Sequence, residues 1–533
     1  MTGLNTSFDH NGKFTFFNAQ EEEMLHDLIL PRLLKRFEKA RERHQNWQNH
    51  WQEAYDYTMP CRGEFHGGTM PGARKGDKIY NATAMDAVDQ LAASLLGNLT
   101  PPWSQWFGLK PGPDLSAEQK EALSPVLENA ARTIQSHFDR SNFAVEIHQC
   151  FLDLVIGGTA CLYFEENDPG HISAFRFTSI PLRQIVLEEG VTGLLDGSFR
   201  MLELSLAHLR ERFPDAILPQ GISGQNRSAN DLQVSVIEAL VPSEISHDYY
   251  AFVTGDDNGQ SFSAPHLIHY ERLDVSPFIN FRWVKSPGEI YGRSPVMKAL
   301  PDIKTANKVV ELILKNASIA VTGIWQADDD GVLNPSTIEL TPGSIIPKAI
   351  GSRGLQPLDM PGKFDISQIV LDDLRSRIRH SMLVDRLTQI DGRSMTATEV
   401  LERSAEMALL LGATYGRLQI ELLIPLVEKA FSILKRRGEI PDISLDGRTV
   451  QIDFRSPLAR AQGQKDIQNT LTWINTVLAI GGEAIEAVDM RRAATYLGQA
   501  LGVPSNLIRE ELPLQGTAPQ NPSTHNTETS SNV

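Results

Sequence analysis

Three lysines fall on one line of a predicted helix. At about 100° per residue, Lys304, Lys308 and Lys315 share a narrow stripe with Glu311, while Ala306, Val310, Ile313, Leu314 and Ala317 cover the opposite side. A row of this kind is either a set of cations that touches phosphate without reading sequence, or an ordinary solvated or subunit-facing helix surface. Arg386 and Arg393 stand in a polar loop, Asp385 to Met395, which contains Gly392 as a flexible point. Beside Asp385 and Asp391 they read either as guides for a phosphate backbone or as exposed surface pairs of little energetic worth.

Other constellations carry less chemistry. His266 and His269 suggest a metal pair, but an offset of three on a regular strand points them to opposite faces, and no Cys or third His lies nearby. They read as ordinary strand histidines. Asp328-Asp329-Asp330-Gly331 with Glu339 has the acidity of a calcium loop, yet its sixth position is Leu333 where the sharp turn needs Gly, so a solvated acidic loop is expected. Gly12-Lys13 and Gly362-Lys363 both lack the glycine five residues earlier that a phosphate loop requires. No G-x-S-x-G or H-E-x-x-H occurs. Cys61, Cys150 and Cys161 form no C-x-x-C pair, and Cys150 and Cys161 are expected as small buried residues. Trp103, Trp106 and Phe107, after Pro101-Pro102, read as core in preference to a docking patch. No cofactor or metal site is expected.

The elements that must carry these residues change character along the chain. Residues 19–58 have helical spacing with an interruption expected near Pro31, and the Gly- and Pro-rich stretch 60–76 reads as a mobile or partner-bound loop. Asn81 to Leu99 and residues 116–140 are further helices. From Thr159 to about Trp283 short β-branched and aromatic runs alternate with turn residues, and one helix from Ser205 to Phe213 sits among them with Ser205 as its cap. Ser294-Pro295 opens a helix to about Val321 with a break expected at Pro301, and Asp365 opens another to about Val384. Between them, residues 323–364 read as a small loop-and-strand insertion. Thr396-Ala397-Thr398-Glu399 has the capping-box form and starts a helix to about Arg437, kinked at Pro425. A strand at Val450 to Phe454, helices from Ala461 to Glu511 and a disordered tail from Gly516 complete the reading, which is α+β and predominantly helical.

Size and charge bound the function. A length of 533 residues corresponds to about three to five domains. Fifty Lys and Arg against 66 Asp and Glu leave a formal charge of -16, which disfavours a protein that coats nucleic acid through a generally basic surface. The first residues lack a signal-peptide pattern and no apolar run approaches the roughly 18 residues of a membrane span, so a soluble chain of a reducing compartment, without membrane contact, is expected.

The order of helical head, β domain, helix, insertion, helix, loop, long kinked helix and helical tail resembles the portal (head-to-tail connector) proteins of short-tailed, double-stranded-DNA bacteriophages. Four blocks carry the resemblance. They are Tyr80-Asn81-Ala82-Thr83 through Trp106-Phe107, Tyr291-Gly292-Arg293-Ser294-Pro295 with Ala299 to Lys304, Met395 to Val400 with Arg403, and Pro457 to Gln462. The resemblance covers about residues 20 to 510; Asn81 departs from the Asp expected in many relatives.

The resemblance implies a ring of twelve subunits at one capsid vertex, assembled in the host cytoplasm. It implies no enzymatic activity of the chain's own, and double-stranded DNA passing through the ring without sequence recognition. The implied partners are the terminase large subunit, a tail adaptor, and the major capsid and scaffold proteins. The implied divisions are a wing (1–158 helical, 159–290 β-rich), a first stem helix (291–322), a clip (323–364), a second stem helix (365–384), a tunnel loop (385–395), a wing helix and strand (396–460), a crown (461–515) and a disordered tail (516–533). Lys304, Lys308, Lys315, Arg386 and Arg393 become channel candidates, and Asp328, Asp329, Asp330, Lys348 and Arg353 become candidates for docking terminase or adaptor. Two other readings remain at this point: another structural virion component such as an adaptor or scaffold, and a DNA-processing enzyme with a scattered carboxylate metal site.

Overall fold

The computed structural model describes residues 29–65, 72–73, 75–102, 104–216, 233–243, 246–256, 261–322, 325–326, 350–351, 356–357, 364–384, 412–443, 445–481 and 488–500. Helix α1 (Leu30–Thr58) carries Pro31 in its first turn, where a missing N–H has no helical acceptor to lose; the interruption expected there is a helix start. Helix α2 (Thr83–Leu99) begins two residues later than expected, because Asn81 Oδ1 accepts from Thr83 N at 3.1 Å and from its hydroxyl at 2.7 Å and so stays outside the helix. Strand β1 (Phe107–Pro111) precedes α3 (Ala117–Arg140), which opens on a capping box between Ser116 and Gln119. Helix α4 (Phe143–Gly157) has no counterpart in the sequence reading. It is buried over most of its length, from Ile147 through Ile156, and its polar line, Glu146, Gln149 and Asp153, bonds to Ser179 and Arg62, so it has no broad charged face to mark a surface helix.

The β region holds β2 (Thr159–Glu166), β3 (Phe175–Ile180), β4 (Ile185–Glu188), β5 (Gly197–Ser205), α5 (Leu206–Arg212), β6 (Gln233–Pro242), β7 (His247–Asp256), β8 (Ser261–Leu273) and β9 (Phe278–Arg282). Ser205 caps α5 by accepting from His208 N. β4 to β8 form a five-stranded antiparallel meander, and β3-β2-β9 a smaller antiparallel sheet. One face of the meander, with Phe199, Ile237, Ala239 and Phe252, packs under Leu33 and Phe37 of α1; the other, with Val236, Leu240, Ala251 and Val253, joins the main core.

A bulge in β8 corrects the histidine argument. His269 lies opposite Ala251 and His266 opposite Val253, with Ile268 left as the extra residue, so the pair shares one face of the sheet. Among the described residues no group of three or more metal-ligating side chains includes them. The loop after α1 is also tied down where it is described, since Arg62 Nε and Nη2 donate to the buried Asp153 carboxylate at 2.7 Å each.

Helix α6 (Pro295–Thr322) leads through a two-residue ladder, β10 (Trp325–Gln326) against β11 (Gln356–Pro357), into α7 (Phe364–Ser381). α6 and α7 pack against each other as an antiparallel hairpin, with Asp302 near the start of one bound to Arg377 near the end of the other at 3.0 Å. The break expected at Pro301 does not occur: its ring is exposed, and Leu300, Ile303 and Ala306 hold the buried side of a continuous helix. Leu314, expected to pack, is 53% exposed. Asp365 lies within α7, not before it.

Helix α8 (Gly412–Leu418), a π-turn (Gln419–Leu423) and α9 (Ile424–Arg436) form one path, and the distortion expected at Pro425 takes the form of that π-turn, in which Ile424 N donates back to Gln419 O. Strand β12 (Val450–Phe454) pairs with β1, Phe107 opposite Phe454, so Trp106 and Phe107 are core; Trp103 lies outside the described residues. Helices α10 (Pro457–Ile480) and α11 (Met490–Ala500) follow, and the start of the long helix at Thr396 and the tail from Gly516 are outside the described residues.

Candidate functional site

The lysine stripe is built from the root of α6. Ser294 Oγ accepts from Met297 N at 2.9 Å and donates to Ile156 O at 2.8 Å, so one hydroxyl caps α6 and fastens it to α4. Two residues earlier the chain passes Gly158 so closely that a Cβ on Gly292 would stand 2.2 Å from Gly158 O. Gly158 itself has φ +78°, a region that favours glycine. Tyr291 is buried edge-on to Trp51, with ring centroids 4.9 Å apart, and its hydroxyl accepts from Leu187 N. The guanidinium of Arg293 lies 4.6 Å from the Trp47 ring centre while pairing with Glu289. The Tyr291 to Pro295 block is therefore a junction of four elements.

Beyond the root, Asn307 holds the chain before α2: its Oδ1 accepts from Tyr80 N at 2.7 Å and from Asn81 N at 3.2 Å, and its Nδ2 donates to Lys78 O. The first and second sequence blocks thus meet on α6. Lys304 pairs with Glu53 of α1. Lys308 Nζ donates to Glu311 Oε2 at 3.0 Å, and Lys315 Nζ to Glu311 Oε1 at 2.6 Å. These hydrogen bonds, first from Lys315 and then from Lys308, hold the Glu311 carboxyl below its ordinary proton affinity, and the bond to Glu53 raises that of Lys304. All three lysines are exposed on one face, as the spacing implies. Arg386, Arg393, Asp328, Asp329, Asp330, Lys348 and Arg353 lie outside the described residues.

Several supporting groups have no sequence signature. Glu53 comes from another helix, and nothing local in the sequence pairs it with Lys304. Arg282 of β9 is fully buried against Glu421 of the π-turn. A cleft of about 680 Å³ between the start of α2 and α7 is lined by Asn81, Thr83, Asp86, Asp372, Arg375 and Arg379, with both charge signs represented. The Glu311 contacts, by contrast, lie at i,i+3 and i,i+4 offsets that the sequence displays.

The chain matches the model of the family described as bacteriophage head to tail connecting protein over residues 30–508. It is 26% identical over 500 residues to a probable portal protein of Bordetella phage BPP-1, covering 89% of this chain and 88% of the relative. It is 24% identical over 517 residues to the portal protein of Salmonella phage epsilon15, covering 91% and 90% of the two chains. With the family match extending from the first helix through the last helix described, this chain belongs to the bacteriophage head-to-tail connecting protein family.

Proposed function

We propose that the chain is the subunit of a portal, a closed ring of twelve copies at the head-to-tail vertex of a virion, through which double-stranded DNA is packaged and later released. The observation that carries the reading is the likeness, over about nine-tenths of each chain, to a probable portal protein of one phage and the portal protein of another. In this reading the ring is assembled in the host cytoplasm, meets the capsid and scaffold proteins at its rim, and docks first the terminase large subunit and then the tail adaptor through the clip, residues 323–364. α6 and α7 are the stem, 385–395 the tunnel loop, and 461–515 the crown. The chain supplies no reaction chemistry in this reading; the terminase is the energy source.

The surface of α6 supports this arrangement. With Lys304 taken as zero, Lys308, Glu311 and Lys315 fall within about 40° of it, and Ile313 and Ala306 lie about 180–200° away, toward the core. Leu312 and Leu314, 48% and 53% exposed, stand at about 80° on either side of the stripe. Heterologous neighbours in a ring cover two different flanks of each subunit, which fits two apolar flanks and leaves the stripe toward the axis. The net charge of -16 suits a passage that must not retain DNA. Native mass measurement of the purified assembly tests the ring: twelve chain masses are expected, and a monomer or dimer at micromolar concentration in every salt overturns it.

A further inference from the structure

Every lysine of the α6 stripe already has a carboxylate. Glu311 uses both of its oxygens, one on Lys308 at 3.0 Å and one on Lys315 at 2.6 Å, and Glu53 takes Lys304. Three cations and two carboxylates leave the stripe with one net positive charge. The lysines of the inner pair are 61% and 63% exposed, whereas Glu311 is only 17% exposed beneath them, so a phosphate arriving from solvent meets the ammonium groups first. The hydrogen bonds from Lys315 and Lys308 lower the proton affinity of the carboxyl.

We propose that Glu311 limits the adhesion of DNA to the channel wall by occupying Lys308 and Lys315, so that passing phosphates find cations to graze but few free to hold them. This rests on the reading of α6 as channel wall. The physical basis is counterion release: a lysine that neutralises a phosphate contributes to affinity and to its salt dependence, and a lysine already neutralised by a carboxylate contributes less. Exposed ion pairs of this kind are weak, so a phosphate displaces the carboxylate briefly and the pair re-forms when it leaves. Glu311 preceding Lys315 by four residues is the favoured orientation of such a pair, which biases the return. The same carboxylate serves both lysines, so one residue sets the adhesion of two.

The test uses assembled rings, checked by native mass, of the unaltered chain, of Glu311→Gln, of the double variant Lys308→Gln/Lys315→Gln, and of the triple variant combining all three. The retention of a linear double-stranded DNA fragment is measured between about 50 and 200 mM salt. Glu311→Gln is expected to steepen the slope of log affinity against log salt by at least about one, the change for one additional phosphate neutralised. The double variant is expected to flatten the slope, and the triple variant to match the double. Glu311→Asp keeps the charge but shortens the reach; it is expected to fall between the unaltered chain and Glu311→Gln, and it serves if the latter does not assemble. A slope for Glu311→Gln equal to that of the unaltered chain, while the lysine variant changes it, overturns the limiter and leaves the channel reading standing. A steep slope that persists in the triple variant places the effect elsewhere and also overturns it. If no variant moves the slope, α6 does not face DNA and both readings fall.

Discussion

Arg282 and Glu421, 139 residues apart, form a buried charge pair in which Arg282 Nη2 donates to Glu421 Oε1 at 2.6 Å while the backbone N–H of Arg282 donates to Oε2 at 2.9 Å. Nε also donates to Glu421, Nη1 donates to Ile290 O and Nη2 to Gly193 O, and Glu421 also accepts from Arg417 at 3.0 Å. One side chain thus joins the last strand of the small sheet, the approach to α6, the loop before β5 and the π-turn. A buried pair satisfied this fully is chiefly a specificity device, because its Coulombic gain is offset by desolvation, but losing one partner strands the other.

Replacing Glu421 with Gln or Arg282 with Met is therefore expected to cost about 3–5 kcal/mol. Thermal unfolding of the variants checks this. A double variant Arg282→Met/Glu421→Leu is expected to recover much of the loss, and a double variant as unstable as the sum of the two singles would contradict the pairing.

Gly158→Ala is expected to destabilise by on the order of 1–3 kcal/mol from its left-handed backbone alone, and by more because the new methyl would meet Gly292 O at 2.2 Å. Gly288→Ala is the comparison, with φ +80° but open space around it. Soluble yield and unfolding temperature are expected to fall much further for Gly158→Ala; equal losses at both positions would remove the close approach as the cause.

Lys429 gives a pH signature. Burial, aided by the charge of Arg436, pushes its ammonium down from 10.5 to about 8, against the pull of Glu271, Asp274 and Glu166. The unfolded chain holds the proton up to the higher value, so between about 8 and 10.5 it binds more protons at this residue than the folded chain, and this lysine's contribution to stability rises with pH, by roughly 3 kcal/mol in all. Below pH 8 the penalty is fully present. Lys429→Met removes the Nζ bond to Val275 O, and the buried thiols and tyrosines, whose proton affinity burial raises, lower stability over the same range, so the readout is the difference between the two chains: between pH 8 and 10 it is expected to shift in favour of the unaltered chain, and a difference that stays constant would refute the assignment.

Cysteine labelling reports the core. Cys150 and Cys161 are fully buried, and burial raises the proton affinity of both thiols, while Cys61 is exposed. An alkylating reagent is expected to add at most one label per chain to the native protein and three after denaturation. Two or more labels under native conditions would mean that the α4 packing opens.

The amphipathic helices, the Ser205 and Ser294 caps, the 450–454 strand and the lysine line of α6 were legible in the sequence because each follows from a local rule: a period, a cap or an offset along one element. The family resemblance was legible for the same reason, in blocks whose order survives without a structure. Local rules failed where tertiary contacts outweighed them. Helix α4 is largely apolar and its few polar residues are bonded inside the fold; Pro301 stays inside α6 because its ring faces solvent and the buried side is well packed; a bulge at Ile268 reverses the face of one histidine. Nothing in sequence spacing brings Glu53 to Lys304 or Glu421 to Arg282, since long-range pairs depend on how separate elements pack. The sequence determined which residues line up on each helix, because that is a property of the backbone repeat; only the tertiary structure decided which carboxylates meet them, because that depends on which surfaces the whole chain buries together.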